Sequence, residues 1–214
     1  TAVRTPTFHD SPGLPRLRLP PGSWDTHCHI FGPKQRFPFS TAATIDPADA
    51  TKEQLFALHA HLGIERCVVV HTALHGLDLR VTEEALAATG GRYLGVALLP
   101  ANVDLAELRR LDRAGFRGVR FHFMRHLQQL ATIDEVLALS PRLAEVGWHL
   151  QIHMENALIA EALAIARGRG SRREIRLAAA LHAMGFVHQS AGRIDSASTL
   201  YREALGIFRG LPDS

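Results

Sequence analysis

The sequence predicts an α/β fold of parallel strands, and three observations lead there. Short β-rich runs alternate with helical stretches over the first 155 residues. The runs are nearly continuous in apolar residues, as strands buried on both faces are. Each run with its helical stretch takes about 25 to 40 residues, which suits right-handed βαβ units and a (β/α) barrel.

The expected strands are SWDTHCHI (23–30), RCVVVHT (66–72), RYLGVALLP (92–100), FRGVRFHF (116–123) and WHLQIHM (148–154). Between them, TKEQLFALHAHLG (51–63), TEEALAATGG (82–91), LAELRRLDRAG (105–115) and TIDEVLALSPRLAEVG (132–147) read as helices. Thr51 and Thr132 suit N-caps, because a hydroxyl can accept a bond from a free N–H of the first turn. Gly63, Gly90, Gly115 and Gly147 suit helix stops, because glycine takes a left-handed conformation without a Cβ clash.

The pattern changes after Glu155. No strand is expected over 156–214, only Ala-rich and Leu-rich helical periodicity, and EALAIARGRGS (161–171) recurs as EALGIFRGLPDS (203–214). Such a recurrence points to stacked helical hairpins. Gly185, Ala197, Tyr201 and Ala204, with Leu181 at the early large position, resemble the skeleton of a tetratricopeptide repeat. The expected organisation is an irregular leader (1–21), a partial barrel of about five βα units (22–156) and tetratricopeptide-like helical hairpins (157–214).

Composition excludes several classes. With 46% hydrophobic and 21% charged residues the chain reads as globular, not disordered. No apolar run reaches the ~18 residues of a membrane span. The leader TAVRTPTFHDSPGLPRLRLPPG has no apolar core of the signal-peptide kind. Of the 24 basic residues 22 are arginine, scattered except for a cluster from Arg167 to Arg176, so a nucleic-acid face is not expected. Cys28 and Cys67 show no ligand-type spacing and read as reduced, buried thiols, which suits a cytoplasmic protein.

WDTHCHIFGP (24–33) carries the chemistry. Residues i and i+2 of a strand point to the same side, so His27 and His29 project together. At the C-terminal end of a barrel strand, two neutral imidazoles can hold a divalent metal, which acidifies a bound water and polarises a carbonyl. Asp25, two residues earlier, is expected on the same face as an acceptor that orients a ring. Thr26 and Cys28 are expected to point away as packing residues, and His59 and His61 to serve structure on a helix.

The order DTHCHIFGP, RFPF, VVVHTALHG, GVRFHF and GWHLQIHME resembles the amidohydrolase superfamily from about Gly22 to Glu155, within the subgroup of 2-pyrone-4,6-dicarboxylate lactonase and related lactone hydrolases. The resemblance implies a distorted (β/α)8 barrel and hydrolysis by water attack on a carbonyl. It implies His27 and His29 as the metal pair, with one divalent ion, zinc or manganese, or none, since subgroup members differ. It makes Arg120 and Arg125 carboxylate clamps, and it puts His71, His75, His122 and His153 in the substrate pocket. Guanidinium groups bind carboxylates bidentately, which suits a small anionic lactone.

The family completes its site with a later histidine in a DH-x-G-type strand and a general-base aspartate in a GTDWPH-type strand. Neither motif occurs after residue 155, so the catalytic base stays unassigned and weak activity is expected. An open barrel also exposes strand edges, which favours self-association. The competing readings are a peptide-binding module acting through the C-terminal helices, and an inactive fusion fragment.

Overall fold

The computed structural model describes residues 7–9, 11–155 and 202. The segment read as tetratricopeptide-like hairpins therefore lies outside the described residues, apart from Arg202, as does the protein-partner surface expected on it.

Among the described residues, ten helices and strands alternate much as the sequence predicts. They are β1 (Trp24–Cys28), α1 (Lys52–Leu62), β2 (Arg66–Val70), α2 (Arg80–Ala87), β3 (Tyr93–Leu98), α3 (Leu105–Arg113), β4 (Phe116–Phe123), α4 (Ile133–Ala138), α5 (Ser140–Glu145) and β5 (His149–Met154). A 3-10 turn at Ala73–His75 follows β2 and carried no sequence signal that set it apart from a loop. The strands lie in chain order, β1-β2-β3-β4-β5, and β1 through β4 pair in parallel. Neighbouring strands in sequence order, each reached through a helical crossover, are the barrel's building rule.

Local chemistry fixes the helix ends. At α1, Gln54 reaches back to the Thr51 N–H at 2.7 Å, and Gly63 takes the left-handed conformation with φ 75°. At α3, the Asp104 carboxylate accepts from the Glu107 N–H at 2.7 Å. Thr132 and Glu135 form a reciprocal capping box at α4. The single helix expected over 132–147 is two, α4 and α5, divided at Leu139. Pro141 is the reason: it has no N–H to donate and restricts the residue before it.

The apolar strand faces and helix stripes meet in one core that includes Val69, Val96, Leu108, Leu111, Phe116 and Val119, each without measurable exposure. Burying a side chain such as Phe116 contributes about 1.5–3 kcal/mol. Two glycines make room for large neighbours. A Cβ at Gly95 would lie 2.6 Å from Phe116 Cδ1, and a Cβ at Gly118 would lie 2.4 Å from His149 Cε1.

Two compact units divide the chain. The first holds residues up to Phe121 together with His126–Gln151; the second holds, among the described residues, His122–Arg125, 152–155 and Arg202. Among the described residues no helix is long and apolar enough to cross a membrane.

Candidate active site

β1 does not keep simple alternation. Asp25 pairs with Cys67 and Cys28 with Val69, so β1 uses one residue more than β2 over that interval. Such a bulge re-aims the side chains around it. Asp25 consequently does not orient a ring of the His27–His29 pair, as the alternation rule suggests. Its carboxylate lies 3.2 Å from His59 Nε2 on α1, while its other oxygen accepts the His27 backbone N–H at 3.0 Å. His59 is 2% exposed and its Nδ1 lies 2.5 Å from the Tyr93 hydroxyl. This chain from Asp25 through His59 to Tyr93 is structural, in line with the role expected of His59. Its only sequence signal was a histidine embedded among helical apolar residues.

The rings of His27 and His29 stand edge to face with centroids 5.1 Å apart. His29 Nδ1 is 2.7 Å from the Val70 carbonyl on β2. A carbonyl only accepts, so Nδ1 carries the proton and Nε2 presents its lone pair. Burial holds His29 below its ordinary pKa. Desolvation, then the neighbouring His29 and Arg120, lower His27 to about 4, although its side chain still reaches solvent. Both rings are therefore neutral donors at physiological pH, the state that binds a divalent ion. The pair fits two positions of a metal site, and the bond to Val70 is the outer-sphere partner that ligating histidines commonly use. Among the described residues no third His, Cys, Asp or Glu donor joins them into a larger group.

Arg120, on β4, is half-buried, and desolvation alone lowers its pKa to about 10. It lies close enough to His27 and His29 to depress both. Among the described residues no carboxylate forms an ion pair with it, whereas Arg36, Arg80, Arg110 and Arg117 all have carboxylate partners within 3 Å. A partly desolvated guanidinium without a counter-charge is suited to receive an anion.

The histidines after β2 are wrapped by the protein. His71 is 1% exposed, with Nδ1 2.8 Å from the Thr82 hydroxyl and Nε2 3.1 Å from the Gly76 carbonyl. Burial lowers its pKa to about 3. His75 accepts the Gly32 N–H through Nε2 at 3.2 Å and contacts the Pro38 carbonyl through Nδ1 at 3.3 Å. Both nitrogens of each ring are thus engaged within the protein, and His75 ties the loop after β1 to the turn after β2. Gly32 enters that tie because a Cβ there would meet Asp49 Oδ1 and Lys34 N, both at 2.6 Å, at a φ of 72°.

In the second unit, His122 and His153 bring their Nδ1 atoms to 3.2 Å with ring centroids 5.4 Å apart. Arg125 pairs with Glu155 at 3.1 Å, and its side chain is otherwise open to solvent. Of the expected residues, the first unit therefore gathers His27, His29 and Arg120 around one place. It commits His71 and His75 to loop architecture.

Comparison with known families places the chain among relatives. The amidohydrolase profile matches residues 24–194, four-fifths of the chain. The chain belongs to the amidohydrolase family. That match continues through much of the segment read as tetratricopeptide-like, a reading that finds no support among the comparisons. The amidohydrolase is 42% identical over 155 residues to a 2-pyrone-4,6-dicarboxylate hydrolase of Comamonas testosteroni, covering 71% of this chain and 51% of that protein. It is 42% identical over 108 residues to a 4-sulfomuconolactone hydrolase of Hydrogenophaga intermedia, covering 50% of this chain and 36% of that protein. The chain spans about half the length, or less, of these curated relatives. Solved structures share the fold. A protein of Agrobacterium tumefaciens superposes with a TM-score of 0.63 at 22% identity, covering 74% of this chain and 57% of that one. A probable 2-pyrone-4,6-dicarboxylic acid hydrolase of Acinetobacter baumannii, with citric acid bound, gives 0.61 at 19% identity, covering 69% and 55%.

Proposed function

We propose that this chain contributes the first-strand histidines and the anion receptor of a lactonase that hydrolyses a small carboxylated lactone. The observation that carries the reading is Arg120, a half-buried cation with no protein counter-ion among the described residues, beside two neutral histidines. Such a cation is costly unless an anion joins it, and a substrate carboxylate supplies one in bidentate geometry. The named substrates of the relatives, a pyrone dicarboxylate and a sulfonated lactone, carry that charge.

In this reading Arg120 anchors a carboxylate and so fixes where the ring ester lies. His27 and His29, the latter through Nε2, would hold one divalent ion, zinc or manganese. When bound, such an ion acidifies water and polarises the ester carbonyl. Water attacks that carbonyl, the ring C–O bond breaks, and the product is an open-chain hydroxy or keto acid. The general base is not assigned: Asp25, the carboxylate nearest the pair in sequence, is engaged by His59.

The test is calorimetric binding of 2-pyrone-4,6-dicarboxylate, with hydrolysis followed by loss of the pyrone chromophore. The reading expects binding that Arg120→Met abolishes. It expects any turnover to disappear with His27→Ala together with His29→Ala. Equal binding by wild type and Arg120→Met would refute it.

A further inference from the structure

A second group of ligand-type side chains lies outside the proposed site and shares no residue with it. The bulge in β1 puts Asp25 and Cys28 on one side of the strand, Cys67 reaches them from β2, and His59 descends from α1. One donor atom from each of the four lies within 4.8 Å of every other. The two sulfurs are 3.1 Å apart, and His59 Nε2 is 3.2 Å from Asp25 Oδ2.

We propose that Asp25, Cys28, His59 and Cys67 bind a structural zinc-type ion that clamps α1 to β1 and β2. The donor chemistry is two thiolates, one imidazole and one carboxylate, a tetrahedral zinc set. The spacing is close to that set. Two bonds of about 2.05 Å at the tetrahedral angle place nitrogen and oxygen about 3.3 Å apart, and two Zn–S bonds of about 2.3 Å place the sulfurs about 3.8 Å apart. The nitrogen–oxygen pair already has this separation, and the sulfurs must part by less than one ångström.

A disulfide is the rival use of two close cysteines, and it asks the sulfurs to close to about 2.05 Å. It would leave unexplained why an imidazole and a carboxylate converge on the same point. Tyr93 supplies the outer partner that a ligating histidine needs. Its hydroxyl, 2.5 Å from His59 Nδ1, can donate to that nitrogen or accept its proton. With Nδ1–H donating to Tyr93, Nε2 is free for the metal. Binding would send the two thiol protons to solvent. Asp25, the most open of the four, gives the ion its way in, since Cys67 and His59 are buried to 2% exposure or less. The same carboxylate holds the His27 N–H, so a loaded clamp would also steady the strand that carries the proposed catalytic pair.

The test uses cobalt(II) as the probe with reduced chain, in which His27→Ala and His29→Ala together remove the other metal pair. The expected result is one equivalent of cobalt per chain with an intense thiolate-to-cobalt charge-transfer band in the near ultraviolet. Cys28→Ala should abolish the band, and His59→Gln should weaken binding at least tenfold. Because a variant can fail to fold, unmodified chain loaded with zinc is also titrated with an organomercurial, which should release the zinc as the thiols react. Absence of the band from the His27→Ala, His29→Ala chain overturns the proposal. So does a band that survives Cys28→Ala, or a reduced chain that takes up no metal and loses two hydrogens in mass on mild oxidation. None of these outcomes depends on lactone hydrolysis, so the proposed activity can fail while this site stands.

Discussion

Replacing Arg120 with methionine should make the free protein more stable while removing its anion binding. Desolvation lowers this guanidinium from 12.5 to about 10. That difference corresponds to about 3 kcal/mol at roughly 1.4 kcal/mol per pKa unit, an upper bound once the site relaxes. The sign follows from both values lying above neutral. At pH 7 the side chain is protonated folded and unfolded, so the whole penalty is present; it is relieved only as pH rises through about 10. Methionine keeps the apolar stem without the charge, so a gain of about 1–2 kcal/mol is expected. Urea unfolding of wild type and Arg120→Met, each with and without 2-pyrone-4,6-dicarboxylate, measures both sides. Wild type should gain about 2.7 kcal/mol at a ligand concentration 100 times Kd, and the variant nothing. A variant less stable than wild type by more than ~1 kcal/mol would refute the reasoning, because it would show that Arg120 already has a structural partner.

Acidification tests the buried histidines. His71 falls from 6.5 to about 3, so its contribution is full above pH 6.5 and is lost as pH drops toward 3; unfolding free energies from urea titration should decline over that window by a few kcal/mol in total, less steeply in His71→Gln. Gly118→Ala should cost about 1–3 kcal/mol, because its Cβ would meet the His149 ring at 2.4 Å; thermal unfolding of Gly118→Ala with His149→Ala should show much of that cost removed. Thr132→Ala removes the capping box of α4 and should cost about 1 kcal/mol, seen as faster hydrogen exchange over 133–138.

Much of the fold was legible because its causes are local. The runs that became β2, β3 and β4 stand out, β2 by its three successive valines, and Thr51, Thr132 and Gly63 act at the helix ends where their chemistry places them. The division of the last helical stretch is also written locally, in Pro141, although the apolar periodicity runs on through it. At the site, the spacing of His27 and His29 was readable, and so was the charge at Arg120. The states of these residues were not, because they depend on partners far along the chain. His29 takes its tautomer from Val70, 41 residues away, and Arg120 draws its character from the absence of a carboxylate beside it among the described residues.

The sequence by itself determined the alternation of strands and helices, the family, and the residue types available for chemistry, since periodicity, caps and motifs are properties of neighbours in the chain. Tertiary structure alone decided which side each residue of β1 serves. One extra residue opposite β2 turned Asp25 from the histidine pair toward His59, and the adjacency of β1 and β2 brought Cys28 to Cys67 across 39 positions. The physical reason is that strand register and bulges are set by pairing and packing across the sheet, which no local pattern in β1 encodes.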